Sequence, residues 1–255
     1  MAGVKAADNE GKVEGSDMQV HRHSGNPVGR WCGRLRTAMY FTASRWFAFF
    51  LLTAMAITGA TQAASSRAAP PSAAKTVLVL GDSLSAEYGL ARGAGWVALL
   101  QERCQQQHIN AQIVNASISG DTTSGGKTRL PALLAQYHPA VVILELGGND
   151  GLRGLPIKAS TENFQAMIDA AQKSGAKVLL AGMQLPPNYG RDYTGQFFAL
   201  YQKLAALNKT ALVPFLLAGI AENTALFQPD RIHPLASAHP HILDNVWPHL
   251  LPLLK

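Results

Sequence analysis

From Thr76 onward the sequence predicts an α/β protein, a three-layer α/β/α sandwich around a five-stranded parallel sheet. Two observations predict it. Five short runs are dominated by Val, Ile, Leu and Ala, the composition of strands covered on both faces. Longer segments with helical spacing lie between them, and the alternation of the two implies right-handed crossovers.

The strands are expected at residues 76–80, 111–115, 140–146, 177–183 and 211–215. The first helix, 95–107, carries the pattern WVALLQERCQQQ. Others are expected at 124–137, 160–174 and 195–207, and a last one at 236–251 closes the chain. In the third, Ser160-Thr161-Glu162-Asn163 reads as a start with an acidic first turn, and Gly175 as the stop. Residues 184–194 (QLPPNYGRDYT) hold two prolines, a glycine and two tyrosines. They read as a loop beyond a strand end, where open α/β sheets place ligand contacts. No internal repeat and no linker divides this region.

Ahead of it the text changes. Residues 1–44 hold Gly, Ser, Asn, His and Arg without sustained apolar periodicity, so they cannot offset their ordering entropy and disorder is expected. Residues 46–59 (WFAFFLLTAMAITG) are almost uniformly apolar, with Arg45 before them and Ala60, Ala63, Ala64 and Ser65 after. A basic flank, an apolar stretch and a small-residue exit mark a secretory signal. The run is also short of the about 20 residues that a bilayer-spanning helix needs. The signal is read as 45–63, with cleavage after Ala63 and no stable membrane insertion afterwards. A signal normally starts close to its basic flank. The expectation is therefore a translation start later than Met1, and Met39 would give an ordinary length.

What remains, 64–255, has the size of one domain. It holds 15 Lys and Arg against 12 Asp and Glu, scattered singly. The pI of about 9.4 is therefore mostly a leader effect and no argument for a nucleic-acid partner. Cys32 lies in the leader and Cys104 stands alone after it, so no internal disulfide forms there, and Cys104 reads as a buried, inert thiol. The expected product is a monomer, exported to the periplasm or beyond.

The chemistry begins after the first strand, at Gly81-Asp82-Ser83-Leu84-Ser85. A serine just past the carboxyl end of a central strand stands where such sheets keep their active sites. As a bare tripeptide, Gly-Asp-Ser is most often only a turn. Near the C-terminus comes Asp230-Arg231-Ile232-His233-Pro234. An Asp and a His three residues apart can face the same way, so that the carboxylate holds the imidazole, as a triad requires. Two further blocks follow strand ends: Asn115-Ala-Ser-Ile-Ser-Gly120-Asp-Thr and Gly147-Gly148-Asn149-Asp150.

In order, these four blocks resemble those of the SGNH (GDSL) hydrolases. Residues from about 77 to 247 are similar, more narrowly, to the periplasmic thioesterase I, lysophospholipase L1 and arylesterase group, in VNASISGDTT, RLPALL, ELGGNDGLRG and LPPNYG. The resemblance implies a flavodoxin-like sheet and a serine esterase acting on small-molecule acyl esters and thioesters without a cofactor or metal. It implies Ser83 as nucleophile, His233 as general base and Asp230 as its orienting acid. The backbone N–H groups of Ser83 and Gly120 and the side-chain amide of Asn149 would form the oxyanion hole, a task that suits glycine and a neutral amide. Arg231 departs from the group, which often has a small residue there. His239, His241 and His249 are nominal rivals for the base, but without the Asp-x-x-His-Pro setting they read as surface or capping residues.

Three other readings compete. A P-loop would use Gly120-Asp-Thr-Thr-Ser-Gly-Gly126-Lys127-Thr128, with Val141–Glu145 as its acidic strand. The register fails, because the first glycine must stand at 121, which is Asp121, and a carboxylate there repels phosphate. A carbohydrate or peptidoglycan O-acetylesterase keeps the fold and changes the substrate. A catalytically dead binding protein is disfavoured by the complete catalytic set.

Overall fold

The structure is a computed structural model that describes residues 73–255. The expected N-terminal extension and signal segment lie outside the described residues. Five strands form one parallel sheet: β1 (Lys75–Gly81), β2 (Ala111–Asn115), β3 (Val141–Glu145), β4 (Lys177–Ala181) and β5 (Ala211–Val213). Their order is β2-β1-β3-β4-β5, the flavodoxin-like arrangement. Val77–Leu80 of β1 and all of β3 are buried, as strands with helices on both faces must be.

Six helices cover the sheet. α1 (Trp96–Gln106) and α6 (His239–Leu254) pack together on one side, and α2 (Thr123–Tyr137), α4 (Ile157–Lys173) and α5 (Arg191–Asn208) form a row on the other. The short α3 (Gly148–Leu152) follows β3 directly. Gly126 lets α2 approach the sheet closely, since a Cβ there would lie 2.3 Å from Leu146 Cδ1. Under α5, Tyr201 packs edge-on to Phe164 and Phe197 and donates from its hydroxyl to Leu146 O at 2.9 Å. Gly147 therefore has two reasons to be glycine: its φ is +97°, and a Cβ would meet Tyr201 Oη at 2.5 Å.

The expected five-stranded α/β sandwich is present; the differences are the short α3, which was not expected, and the ends of several elements. β3, β4 and β5 stop one to two residues before their apolar runs do, because Met183 and Phe215 leave the ladder to line a cavity. The third long helix starts at Ile157, behind Pro156, and not at Ser160. Ser160 is buried within the helix, where its hydroxyl donates to Asp150 at 3.1 Å. Residues 184–194 are only partly loop, since a 3-10 turn covers Pro187–Tyr189 and α5 begins at Arg191. The closing helix starts later than expected, at His239. Among the described residues no helix is long and apolar enough to cross a membrane.

Candidate active site

The strand order reverses between β1 and β3, and the chain leaving each of them builds the site. Gly81 pairs with Glu145 across the two strand ends. Glu145 is fully buried, and its Oε2 accepts from Ser85 Oγ at 2.6 Å and from the Asp82 N–H at 3.2 Å. Gly81 must be glycine because a Cβ would stand 2.6 Å from Glu145 Oε2 and 2.8 Å from Ser85 Oγ. Asp82 in turn accepts from the Leu84 N–H at 3.1 Å, which closes the turn that presents Ser83.

Ser83 Oγ lies 2.8 Å from His233 Nε2, and His233 Nδ1 lies 2.7 Å from Asp230 Oδ2. The other Asp230 oxygen accepts from the N–H groups of Ile232 at 2.9 Å and His233 at 3.0 Å. The turn needs Arg231 in the left-handed region, at φ 59°. Its flanks are tied by Gln228 N–H to His233 O at 2.7 Å and Leu235 N–H to Leu226 O at 2.7 Å.

Gly120 is exposed, with φ +80°, and its carbonyl accepts from Arg153 at 3.0 Å. Among the described residues neither the Gly120 N–H nor the Ser83 N–H donates to a protein acceptor. The Asn149 amide donates to Asp82 Oδ2 at 3.1 Å and to Asp121 O at 2.9 Å. It thus bridges the neighbour of Ser83 and the neighbour of Gly120. Asp121 fills the first turn of α2 with its own carboxylate and pairs with Arg129, so the P-loop reading has no phosphate cradle.

His239 proves to be a buried cap and not a surface residue: its Nδ1 accepts from the Trp96 N–H at the start of α1, at 3.0 Å. Burial lowers its pKa, which keeps the ring neutral there. His241 is exposed. The sequence blocks gave no role in this site to Glu145, Ser85, Tyr88 or Gln228, although Ser85 stands inside the first block. The only signal for Glu145 was an acid ending a wholly apolar run.

Burial raises the Asp82 carboxyl from its usual 3.8 to about 6, against the Leu84 N–H, His233 and Asn149, which lower it. Burial also pushes Glu145 well above the carboxylate range, and Asp82 beside it adds to this. Burial would raise Asp230 too, but the His233 N–H, the His233 ring and the Ile232 N–H outweigh it and hold the group at about 2. Among the described residues no group of three or more His, Cys, Asp or Glu is placed to hold a metal.

A hydroxyl, an imidazole and a carboxylate thus stand in line at the switch point of a doubly wound sheet. The chain belongs to the GDSL-like Lipase/Acylhydrolase family, whose profile matches residues 79–239. It is 54% identical over 182 residues to the Esterase TesA of Pseudomonas aeruginosa, covering 71% of this chain and 90% of that protein. It is 43% identical over 183 residues to the Thioesterase 1/protease 1/lysophospholipase L1 of Escherichia coli strain K12, covering 72% and 86%. The psychrotrophic esterase EstA from Pseudoalteromonas sp., in a structure inhibited by monoethylphosphonate, superposes with a TM-score of 0.68 at 39% identity, covering 71% of this chain and 98% of that one. The chain is a carboxylic ester hydrolase.

The Asp82 shift has a consequence for stability. The folded chain holds this proton to about pH 6 and the unfolded chain only to about 3.8, so the contribution of Asp82 to stability falls as pH rises through that window. Relative to Asp82→Asn, the wild type should lose stability, on the order of 2 kcal/mol, between pH 4 and pH 7. Denaturant melts of both proteins across this range measure it, and a constant difference would contradict the assignment.

Proposed function

We propose that the enzyme hydrolyses acyl esters and thioesters through an acyl-enzyme, with Ser83 as nucleophile, His233 as base and Asp230 as its orienting acid. The line of 2.8 and 2.7 Å contacts from Ser83 through His233 to Asp230 carries this reading. With Asp230 ionised, Nδ1 donates to it and the lone pair of Nε2 faces the hydroxyl. Ser83 Oγ bonds to the acyl carbon as Nε2 takes its proton. The tetrahedral intermediate then expels the alcohol or thiol, which leaves with that proton, and water repeats the sequence on the acyl-enzyme.

The N–H groups of Ser83 and Gly120 and the amide of Asn149 are proposed to hold the oxyanion. The first two are supported by having no protein acceptor among the described residues. Asn149 is held by two acceptors, so the arriving oxyanion shares or replaces one of them. Fluorophosphonate should label Ser83, as phosphonate inhibition of EstA suggests, and His233→Ala should abolish both labelling and turnover. Asn149→Ala should lower kcat by about 10²–10³ and leave KM nearly unchanged. Peptide mapping that finds Ser85 or Ser119 labelled, or a folded Asn149→Ala enzyme with wild-type kcat, would refute these roles.

The cavity beside Ser83 has a volume of about 440 Å³ and a wall that includes Leu152, Met183, Leu185, Pro186, Phe215 and Leu217. Gln184, Glu222 and Arg231 add polar groups to this lining, but its larger share is apolar, which suits an acyl chain better than a sugar and favours this reading over an O-acetylesterase. Aryl esters and acyl-CoAs of medium chain length should be turned over faster than acetylated sugars. The opposite order in a profile of purified enzyme would move the assignment to the acetylesterases.

Export and processing near Ala63 are also proposed, from the basic flank, apolar run and small-residue exit of the leader. Intact-mass analysis of exported protein should find residues 1–63 missing. Retention of Trp46 and Gly59 in a membrane-bound form would show an anchor instead.

A further inference from the structure

The edges of the His233 ring are taken by Asp230 and Ser83. One face is covered by Tyr88, with ring centroids 4.3 Å apart and planes inclined by 39°. Tyr88 belongs to the loop between β1 and α1 and is 50% exposed, so core packing does not account for its position. It does not line the cavity beside Ser83.

The surrounding chain is built to hold that ring in place. Gln228 donates from its side chain to Tyr88 O at 2.9 Å and from its backbone N–H to His233 O at 2.7 Å. One glutamine therefore ties the tyrosine loop to the histidine turn. Gly89, at φ +70°, passes so close that a Cβ would lie 2.2 Å from Gln228 Oε1. Glu87 is held in the left-handed region at φ 60°, while its carboxylate accepts from the N–H groups of Gly93 and Gly95, both at 3.0 Å. Non-glycine backbone in that region is unfavourable and persists where the surrounding bonds dictate it.

We infer that Tyr88 is a positioning residue for the hydrolysis, its ring holding the imidazole of His233 in the plane of Ser83 and Asp230 and stabilising the imidazolium formed as Ser83 gives up its proton. The inference rests on His233 being the base. An aromatic face attracts a cation, and it attracts the neutral imidazole of the resting enzyme far less. The interaction is therefore stronger in the transition state than in the ground state, so it acts on kcat and not on KM. The bonds that hold Tyr88 run through its backbone, so the phenol oxygen is dispensable.

Steady-state kinetics on a small aryl ester for Tyr88→Phe, Tyr88→Leu and Tyr88→Ala, with thermal melts, test this. Tyr88→Phe should stay within about twofold of wild type. Tyr88→Leu and Tyr88→Ala should lose about five- to tenfold in kcat at unchanged KM. Wild-type kcat in Tyr88→Leu would mean that any cover suffices, and would overturn the inference. So would a loss in Tyr88→Phe equal to that in Tyr88→Ala, or an effect on KM alone. His233→Ala, run alongside, separates the two levels: if it keeps its kcat, the base is misassigned and the inference falls with it. If it is inactive while all three Tyr88 variants match wild type, only the role of Tyr88 falls.

Discussion

Glu145 closes β3 with a carboxyl group that has no access to solvent, and the turn that carries Ser83 is built on it. One oxygen accepts from the Asp82 N–H and the Ser85 hydroxyl; the other has no hydrogen-bond partner among the described residues. Burial favours the protonated form, and a neutral acid can accept both bonds at its carbonyl oxygen without placing a bare charge in the core. The cost of burying a carboxyl is thereby reduced, and what it secures is the register of the segment that carries Ser83. Gly81 follows from the same constraint, because the carboxyl occupies the space a side chain would need.

Two more carboxyl groups extend that support outward. Asp82 holds both the Leu84 N–H and the Asn149 amide, so the Ser83 turn and the segment after β3 share one acceptor. Asp150 accepts from the Thr123 N–H and from the hydroxyls of Thr123 and Ser160, which binds α3 to the starts of α2 and α4. The loops at the carboxyl ends of β1, β2 and β3 are therefore cross-linked by side chains rather than by a ladder. Residues that must face a common point stand on segments that cannot shift independently.

β1, β3 and β4 were legible because strands covered on both faces are apolar along most of their length; the edge strand β2, with Gln112 and Asn115 exposed, was marked only by its Ile113-Val114 pair and its place in the alternation. Their ends were not legible, since the apolar text runs on where Met183 and Phe215 turn from the ladder to the cavity. Ser160 was misread because a serine followed by acidic and amide residues imitates a helix start. Here its hydroxyl serves Asp150, and Pro156 sets the boundary. The two glycines before Asn149 hid α3. The candidate residues Ser83, Gly120, Asn149, Asp230 and His233 stand in short motifs, each complete within a few residues. The contacts of Glu145 with Ser85, and of Tyr88 with Gln228 and His233, join segments far apart in sequence, and no local pattern records them.

Arg231 shows how the turn tolerates a residue that its backbone disfavours. At φ 59° any side chain is unfavourable by roughly 1–2 kcal/mol relative to glycine, because the Cβ itself crowds the following carbonyl. The turn is nonetheless fixed from both sides: Asp230 accepts the two N–H groups that follow Arg231, and Gln228 O accepts the Arg231 N–H at 2.8 Å. These are the same bonds that aim the Asp230 carboxylate at His233. The pairing of Asp230 with His233 is therefore set by the turn and not by the identity of residue 231. A side chain at this position also reaches the wall of the cavity, where Arg231 and Glu222 stand as charged groups in a lining that is mostly apolar away from Ser83 and His233. One five-residue turn thus both fixes the Asp230–His233 pair and, through Arg231, supplies part of the cavity wall.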